Sequence, residues 1–318
     1  VSRILNGTKA VSPALTARVK KVVEEYGYVP NHAARIMVLR KTGTIGLVIP
    51  KVSLWFQIAV FLGISSAFER NGYQVLLVPI DLTASSEIRY INLLRRKQVD
   101  GIVLMHETSN PSVLEYLFRT EIPIVLCTIN IKGANFPVVG IDDCAAARDA
   151  ANFLLHLGHK NIGIIRGFEY TVGEKRTGAF LEVLSSHGIH PKSSQIITGD
   201  YTMESGRYLI RKLWEQDSSL TAVFCESDEM ALGAIRGAHE IGLKVPEELS
   251  ILGFDGIEAG LYSIPSLTTI KQPVEEIGEK VADLLIAIIH KKEVLQKHII
   301  LPHTLLVRES CAPVRKNY

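Results

Sequence analysis

Four aspartates close or follow apolar runs in this sequence: Asp142 and Asp143 after VVGI, Asp228 in TAVFCESD, and Asp255 at the end of LSILGFD. Carboxylates so placed either N-cap the next helix or reach a polar ligand from the carboxyl ends of parallel strands, where open α/β sheets form their crevices. Asp228, inside SDEMALGA, reads as a cap, whereas Asp255 in GFDG has no helical stripe directly behind it and reads as a ligand group. The chemistry of catalysis is otherwise missing. There is no GxxxxGK followed by Ser or Thr, no GxGxxG opening a helix after a strand, no GxSxG and no HExxH. His156 and His159 in HLGH lack further ligands at zinc spacing and read as surface histidines near a helix end. Cys127, Cys144, Cys225 and Cys311 show no CxxC spacing and read as reduced core thiols. No enzyme, metal or cofactor is expected.

The elements that position these groups follow from hydrophobic period. Short β-rich runs, IGLVIP, QVLLVPI, DGIVLM, IPIVLCTI, VVGID, NIGIIRG, QIITGD, TAVFCESD and LSILGFD, alternate with helix-length segments from Ile45 onward. Near-continuous Val/Ile/Leu strands separated by helices indicate parallel sheets covered on both faces. Nine such candidates exceed one comfortable sheet, so the body divides into two doubly wound lobes near Ile141. PVEEIGEKVADLLIAIIHKK predicts a long amphipathic helix from Val274, and IILPHTLLVRES a final strand.

The chain ahead of Ile45 has a different texture. Ser12 can N-cap and Pro13 suits the first helical turn, while Leu15, Val19, Val22, Val23 and Tyr26 form one apolar stripe that ends at Gly27. Val1, Ile4 and Leu5 offer a second short stripe, closed by Gly7. Residues 1–41 carry a net charge of +6, and the remaining 277 carry −4. A basic helical segment before a mildly acidic body reads as a polyanion-binding head. No run of 18 apolar residues and no signal peptide is evident, so a cytoplasmic protein without a membrane partner is expected.

VSRILNG, VSPALTARVKKVVEEYGYVPN, AAR and TGTIGLVIP follow one another much as in LacI-type transcriptional regulators. The resemblance continues through HLGHKNIGII, SDEMALGAI, LSILGFD, LTTIKQP and LVRES, and so covers essentially the whole chain. It implies a partial all-α helix-turn-helix head at residues 1–30, truncated by about 18 to 20 residues. A hinge helix and linker would occupy 31–44. An α/β core of periplasmic-binding-protein type would fill 45–318, its first lobe about 45–141 plus 273–292 and its second about 142–270 plus 299–312.

The same resemblance assigns roles. Ser2, Arg3, Asn6 and Ser12 match operator-contacting positions; Asn31, Arg35 and Met37 fall at the hinge, Met37 where the family places a leucine that wedges into the minor groove. Phe56, Gln57, Thr128, Ile141, Arg176, Tyr201, Ser227, Asp255 and Gln272 fall at effector positions, with Arg176 and Asp255 expected to clamp hydroxyls from opposite lobes around a ring stacked on Tyr201. The implied protein is a homodimeric repressor of sugar-utilisation genes on a palindromic operator, switched by a sugar or sugar derivative. Two rivals are a sugar-binding protein of a transporter and a regulator controlled by a phosphorylated carrier protein, of which SDEMALG is reminiscent.

Overall fold

A computed structural model describes residues 4, 11–26, 41–50, 55–80, 87, 99–108, 110–131, 133–168 and 171–314. The proposed contacts Ser2, Arg3, Asn6, Asn31, Arg35 and Met37 lie outside the described residues. Helix α1 (Pro13–Glu25) starts where Ser12 and Pro13 predict, although the Ser12 side chain makes no capping bond. Its apolar stripe stays half open: Leu15 is 49% and Val22 48% exposed.

The body contains two six-stranded sheets. The first holds β1 (Thr44–Pro50), β2 (Gln74–Ile80), β3 (Gly101–Leu104), β4 (Ile124–Cys127), β5 (Val138–Ile141) and β11 (His298–Leu301), all parallel, in the order β11-β5-β4-β3-β1-β2. The second holds β6 (Ile162–Arg166), β7 (Ile196–Thr198), β8 (Ala222–Cys225), β9 (Ser250–Asp255), β10 (Thr268–Lys271) and β12 (Thr304–Leu306), in the order β12-β10-β9-β8-β6-β7, with only β12 antiparallel. β3, β4 and β8 are buried along their whole length, as strands covered by helices on both faces must be.

Helices α2 (Trp55–Arg70), α3 (Pro111–Arg119) and α9 (Val274–Ile289) serve the first sheet; α4 (Asp143–His156), α5 (Thr171–Ser186), α6 (Met203–Gln216), α7 (Asp228–Glu240) and the short α8 (Ala259–Tyr262) serve the second. α2 and α9 meet through glycines. A Cβ on Gly278 would lie 2.4 Å from the Gly63 backbone, so only glycine lets the two backbones approach this closely.

The chain crosses between lobes three times: after β5, after β10 and between β11 and β12. The last crossing corrects the expected lobe boundary. IILPHTLLVRES is two strands, because Pro302 lacks an N–H and breaks the ladder, and β11 joins the first sheet while β12 joins the second. Residues 299–301 therefore belong to the first lobe. β10 is a strand that no apolar run announces, since Thr268 and Thr269 are polar yet fully buried. The linker's end is anchored too: Asp100 accepts the Thr42 and Gly43 amides at 2.7 and 2.8 Å.

Candidate functional site

The carboxyl ends of both sheets face one cavity of about 160 Å³, room for on the order of ten waters and hence for a ring-sized ligand. The first lobe contributes Pro50 from the end of β1, Phe56 and Gln57 from the start of α2, Met105 to Glu107 after β3, and Thr128 and Ile129 after β4. The second contributes Phe168 after β6, Val172 and Arg176 from α5, Asp200 and Tyr201 after β7, Ser227 and Glu229 around the start of α7, and Asp255 at the end of β9. Loops at strand ends are where this topology can aim side chains without disturbing either sheet.

Backbone strain is concentrated here. Among the described residues, positive φ outside glycine occurs at Thr128 (58°), Tyr201 (64°), Asp255 (115°) and Lys291 (55°), and the first three line the cavity. Side chains other than Gly, Asn and Asp rarely adopt this region, and such outliers persist only where surrounding structure over-determines them.

Arg176 is 6% exposed, so it is no surface ion pair. Its Nε donates to Asp143 Oδ1 at 2.8 Å and Nη1 donates to the Glu226 carbonyl at 3.0 Å. Its guanidinium carbon lies 3.7 Å from the centre of the Phe254 ring. Burial alone would lower its pKa, but Asp143, Asp255 and Glu226 raise it above the ordinary arginine value, so the charge is permanent.

Tyr201 is held by close packing. Its ring meets Phe168 edge-on at 5.9 Å, and a Cβ on Gly167 would sit 1.9 Å from the ring. Gly167 also donates its amide to Glu226 Oε2 at 2.8 Å, and Glu226 Oε1 accepts the Thr177 hydroxyl. Burial raises the Glu226 carboxyl to about 6 despite these donors and Arg176.

Asp255 is 6% exposed and accepts from Gln272 Nε2 at 2.8 Å; burial pushes its carboxyl well above the usual range, against the pull of Arg176. Glu229 reaches across the cleft, where its Oε1 accepts the Phe56 amide at 3.3 Å, and burial raises its pKa as well. On the first lobe, buried His106 hydrogen-bonds Glu87 Oε1 at 2.7 Å, and Asn110 donates to Glu87 Oε2 at 3.0 Å.

Several expectations change. Arg176 and Asp255 both belong to the second lobe, so they cannot clamp a ligand from opposite sides; Glu229 and the α2 N-terminus make the cross-cleft contact instead. Ser227, and not Asp228, caps α7, accepting Met230 N at 3.2 Å. Asp228 is fully buried one residue on, accepting the Ile257 amide at 2.7 Å and the Thr269 hydroxyl. Ile141 packs in the second-lobe core, and Gln272 steadies Asp255 from behind; neither lines the cavity. Asp142 caps α4 through Ala145 N at 2.9 Å. His159 is 2% exposed, bridging the Thr221 hydroxyl and the Ala312 carbonyl, while His156 is exposed as expected.

The cavity also holds His106, Glu107, Phe168, Asp200 and Glu229, with Glu226 directly behind. Each lies within two residues of the end of a predicted strand, and that position was the available signal. Among the described residues no group of three or more His, Cys, Asp or Glu could hold a metal ion, and no helix is long and apolar enough to cross a membrane.

Comparison with known proteins places this geometry. Residues 1–31 match the family model described as bacterial regulatory proteins, lacI family, and residues 151–311 match the periplasmic binding protein-like domain. Catabolite control protein A of Priestia megaterium is 36% identical over 98% of this chain and 94% of its own length. The HTH-type transcriptional repressor CytR of Escherichia coli (strain K12) is 36% identical over 90% of this chain and 84% of its own. Among solved structures, a transcriptional regulator CelR–cellobiose complex superposes with a TM-score of 0.79 at 29% identity, covering 97% of this chain and 94% of that one. CcpA of Lactococcus lactis superposes with a TM-score of 0.77 at 27% identity, covering 84% and 98%.

Proposed function

The chain belongs to the lacI family of bacterial regulatory proteins, and from that premise we propose that it represses sugar-utilisation genes in response to an effector held between its lobes. The observation that carries this reading is the cavity itself, walled by both lobes and bridged by Glu229 to the Phe56 amide. A ligand there touches both halves of a body joined by three chain crossings, so it favours one interlobe angle over another. The Asp100 clamp on Thr42 and Gly43 connects that angle to the linker leading to the basic head.

The effector is a sugar or sugar derivative, supported by polar groups beside the rings of Phe56, Phe168 and Tyr201 and by the cellobiose complex of the CelR neighbour. The protein carries out no chemistry. It acts as a homodimer on a palindromic operator in the cytoplasm; Leu62 and Leu261, 59% and 52% exposed, line one groove, an apolar surface that a second copy covers. Ser2, Arg3, Asn6 and Ser12 contact the operator, and Asn31, Arg35 and Met37 contact it at the hinge. The lacI-family match at residues 1–31 favours a regulator over a transporter's binding protein.

Selecting random duplexes with the full-length protein tests the reading. The expected result is a palindromic consensus bound in a salt-dependent manner, with log affinity falling linearly as log salt rises. Absence of any preferred sequence overturns it.

A further inference from the structure

Among the described residues, the charged groups that line the interlobe cavity are unequal in number. Glu107, Asp200, Glu229 and Asp255 line it, against the single guanidinium of Arg176. That guanidinium is already committed to Asp143 and to the Glu226 carbonyl, and it lies over Phe254. His106, the other basic side chain of the wall, is bonded to Glu87. Among the described residues, a ligand anion therefore finds no unengaged guanidinium on this wall and meets four carboxylates.

A second observation points the same way. Among the described residues, Gln57 Oε1 is a buried acceptor without a hydrogen-bond partner, and Gln57 lines this cavity. An orphaned buried acceptor costs free energy until a donor reaches it. Phe56, Phe168 and Tyr201 complete the wall, and the negative face of an aromatic ring attracts a cation. Acceptors and rings together call for a donor-rich, positively charged guest.

Resting on the effector-cavity reading above, we propose that the effector is a hydroxylated ring bearing a protonated amine, an amino sugar in chemical class. The ammonium sits among Glu229, Asp255 and the aromatic rings, and a hydroxyl or the amine donates to Gln57 Oε1. Burial already raises the pKa of Glu229 and Asp255, the mark of carboxylates desolvated without enough positive charge nearby, and a bound cation offsets that cost. A sugar phosphate would instead add close to two negative charges to the same space.

Calorimetric titration of the whole chain with matched sets tests this: glucose, galactose and mannose, each beside its 2-amino, N-acetylamino and 6-phosphate forms. The expected result is that at least one free amine binds about tenfold tighter than its parent and its N-acetyl form, because acetylation removes the charge while retaining the hydroxyls. Glu229→Gln should then narrow that amine-to-parent ratio several-fold, a comparison made within one folded variant. The proposal is overturned if in every set the parent sugar or the phosphate binds as tightly as the amine, or if no amine binds. Binding of an uncharged or phosphorylated sugar leaves the effector cavity standing, while the regulator reading is decided separately by operator selection.

Discussion

Glu229, on the second residue of α7, accepts the backbone amide of Phe56, on the second residue of α2, at 3.3 Å across the interlobe cleft. The N-terminus of α2 carries the positive end of its helix dipole, so a carboxylate there is favourable beyond the single hydrogen bond. One residue thus ties a helix start of one lobe to a helix start of the other, next to the cavity.

Glu229→Ala removes that tie. The present interlobe arrangement should lose about 1.5–3 kcal/mol, the range for a hydrogen bond to a charged group, and the lobes should separate in the absence of ligand. Trp55 is 49% exposed beside this contact, so its fluorescence should shift toward that of a fully solvated indole, accompanied by a larger radius of gyration in X-ray scattering. An unchanged radius would show that other contacts hold the cleft.

Gly167→Ala drives a methyl group into the Tyr201 ring, which a Cβ would meet at 1.9 Å. Tyr201 must turn out of the cavity. Effector affinity should fall by roughly 1.5–3 kcal/mol, that of a lost aromatic wall, while far-ultraviolet circular dichroism stays native. Tyr201→Phe keeps the ring and should change affinity by less than about 0.5 kcal/mol, since stacking needs the face and not the hydroxyl. Equal losses from Tyr201→Phe and Gly167→Ala would assign the work to the phenol oxygen.

Burial lifts the Asp228 carboxyl to about 7 and that of Glu226 to about 6, with Glu229 and Asp255 also raised. A folded-state pKa above the unfolded value means that the native state binds protons more tightly. Its contribution is full below the unfolded carboxylate range near pH 4 and is lost as pH rises through 6 and 7. Urea unfolding should therefore show lower stability at pH 8 than at pH 5. Asp228→Asn can still accept from Ile257 N and approach the Thr269 hydroxyl, and it should remove on the order of 3 kcal/mol of that pH dependence. A variant whose stability keeps the wild-type pH slope would contradict this assignment.

Asp100→Ala releases the amides of Thr42 and Gly43, which its carboxylate holds at 2.7 and 2.8 Å. Two charge-assisted bonds of about 1.5–3 kcal/mol each are lost at the junction between linker and first lobe. Limited proteolysis near residues 41–43 should accelerate while cavity ligand affinity stays within about twofold, because Asp100 lies outside the cavity wall. Slower operator response without a change in ligand binding would locate the transmission path here; an unaltered response would remove it.

The sequence made the parallel strands legible because buried βαβ units leave long Val/Ile/Leu runs, and it made Asp255 legible because GFDG interrupts such a run without opening a helix. β10 stayed hidden: its Thr268 and Thr269 are buried by tertiary packing, which no local period reveals. Asp228 looked like a cap because Asp and Ser are both good caps and stand side by side; only the fold shows that Ser227 takes the role and that Asp228 turns inward to Ile257 and Thr269. The same holds for Arg176. Its residue type suggested a clamp on ligand hydroxyls, but its partner Asp143 lies 33 residues away in sequence and engages it before any ligand arrives. Cross-lobe neighbours such as Phe56 and Glu229, 173 residues apart, are beyond any reading of spacing.

The central claim is that occupancy of the interlobe cavity sets operator affinity. Fluorescence anisotropy of the full-length protein on its selected palindrome, with and without a saturating cavity ligand, measures that coupling directly, and the coupling must be reciprocal in the ligand's own affinity. A change of about 1–3 kcal/mol in operator affinity is expected for the wild type and almost none for Gly167→Ala at the same ligand concentration, because its displaced Tyr201 no longer walls the cavity. An operator affinity that ignores the ligand in the wild type, or responds to it equally in Gly167→Ala, would contradict the account.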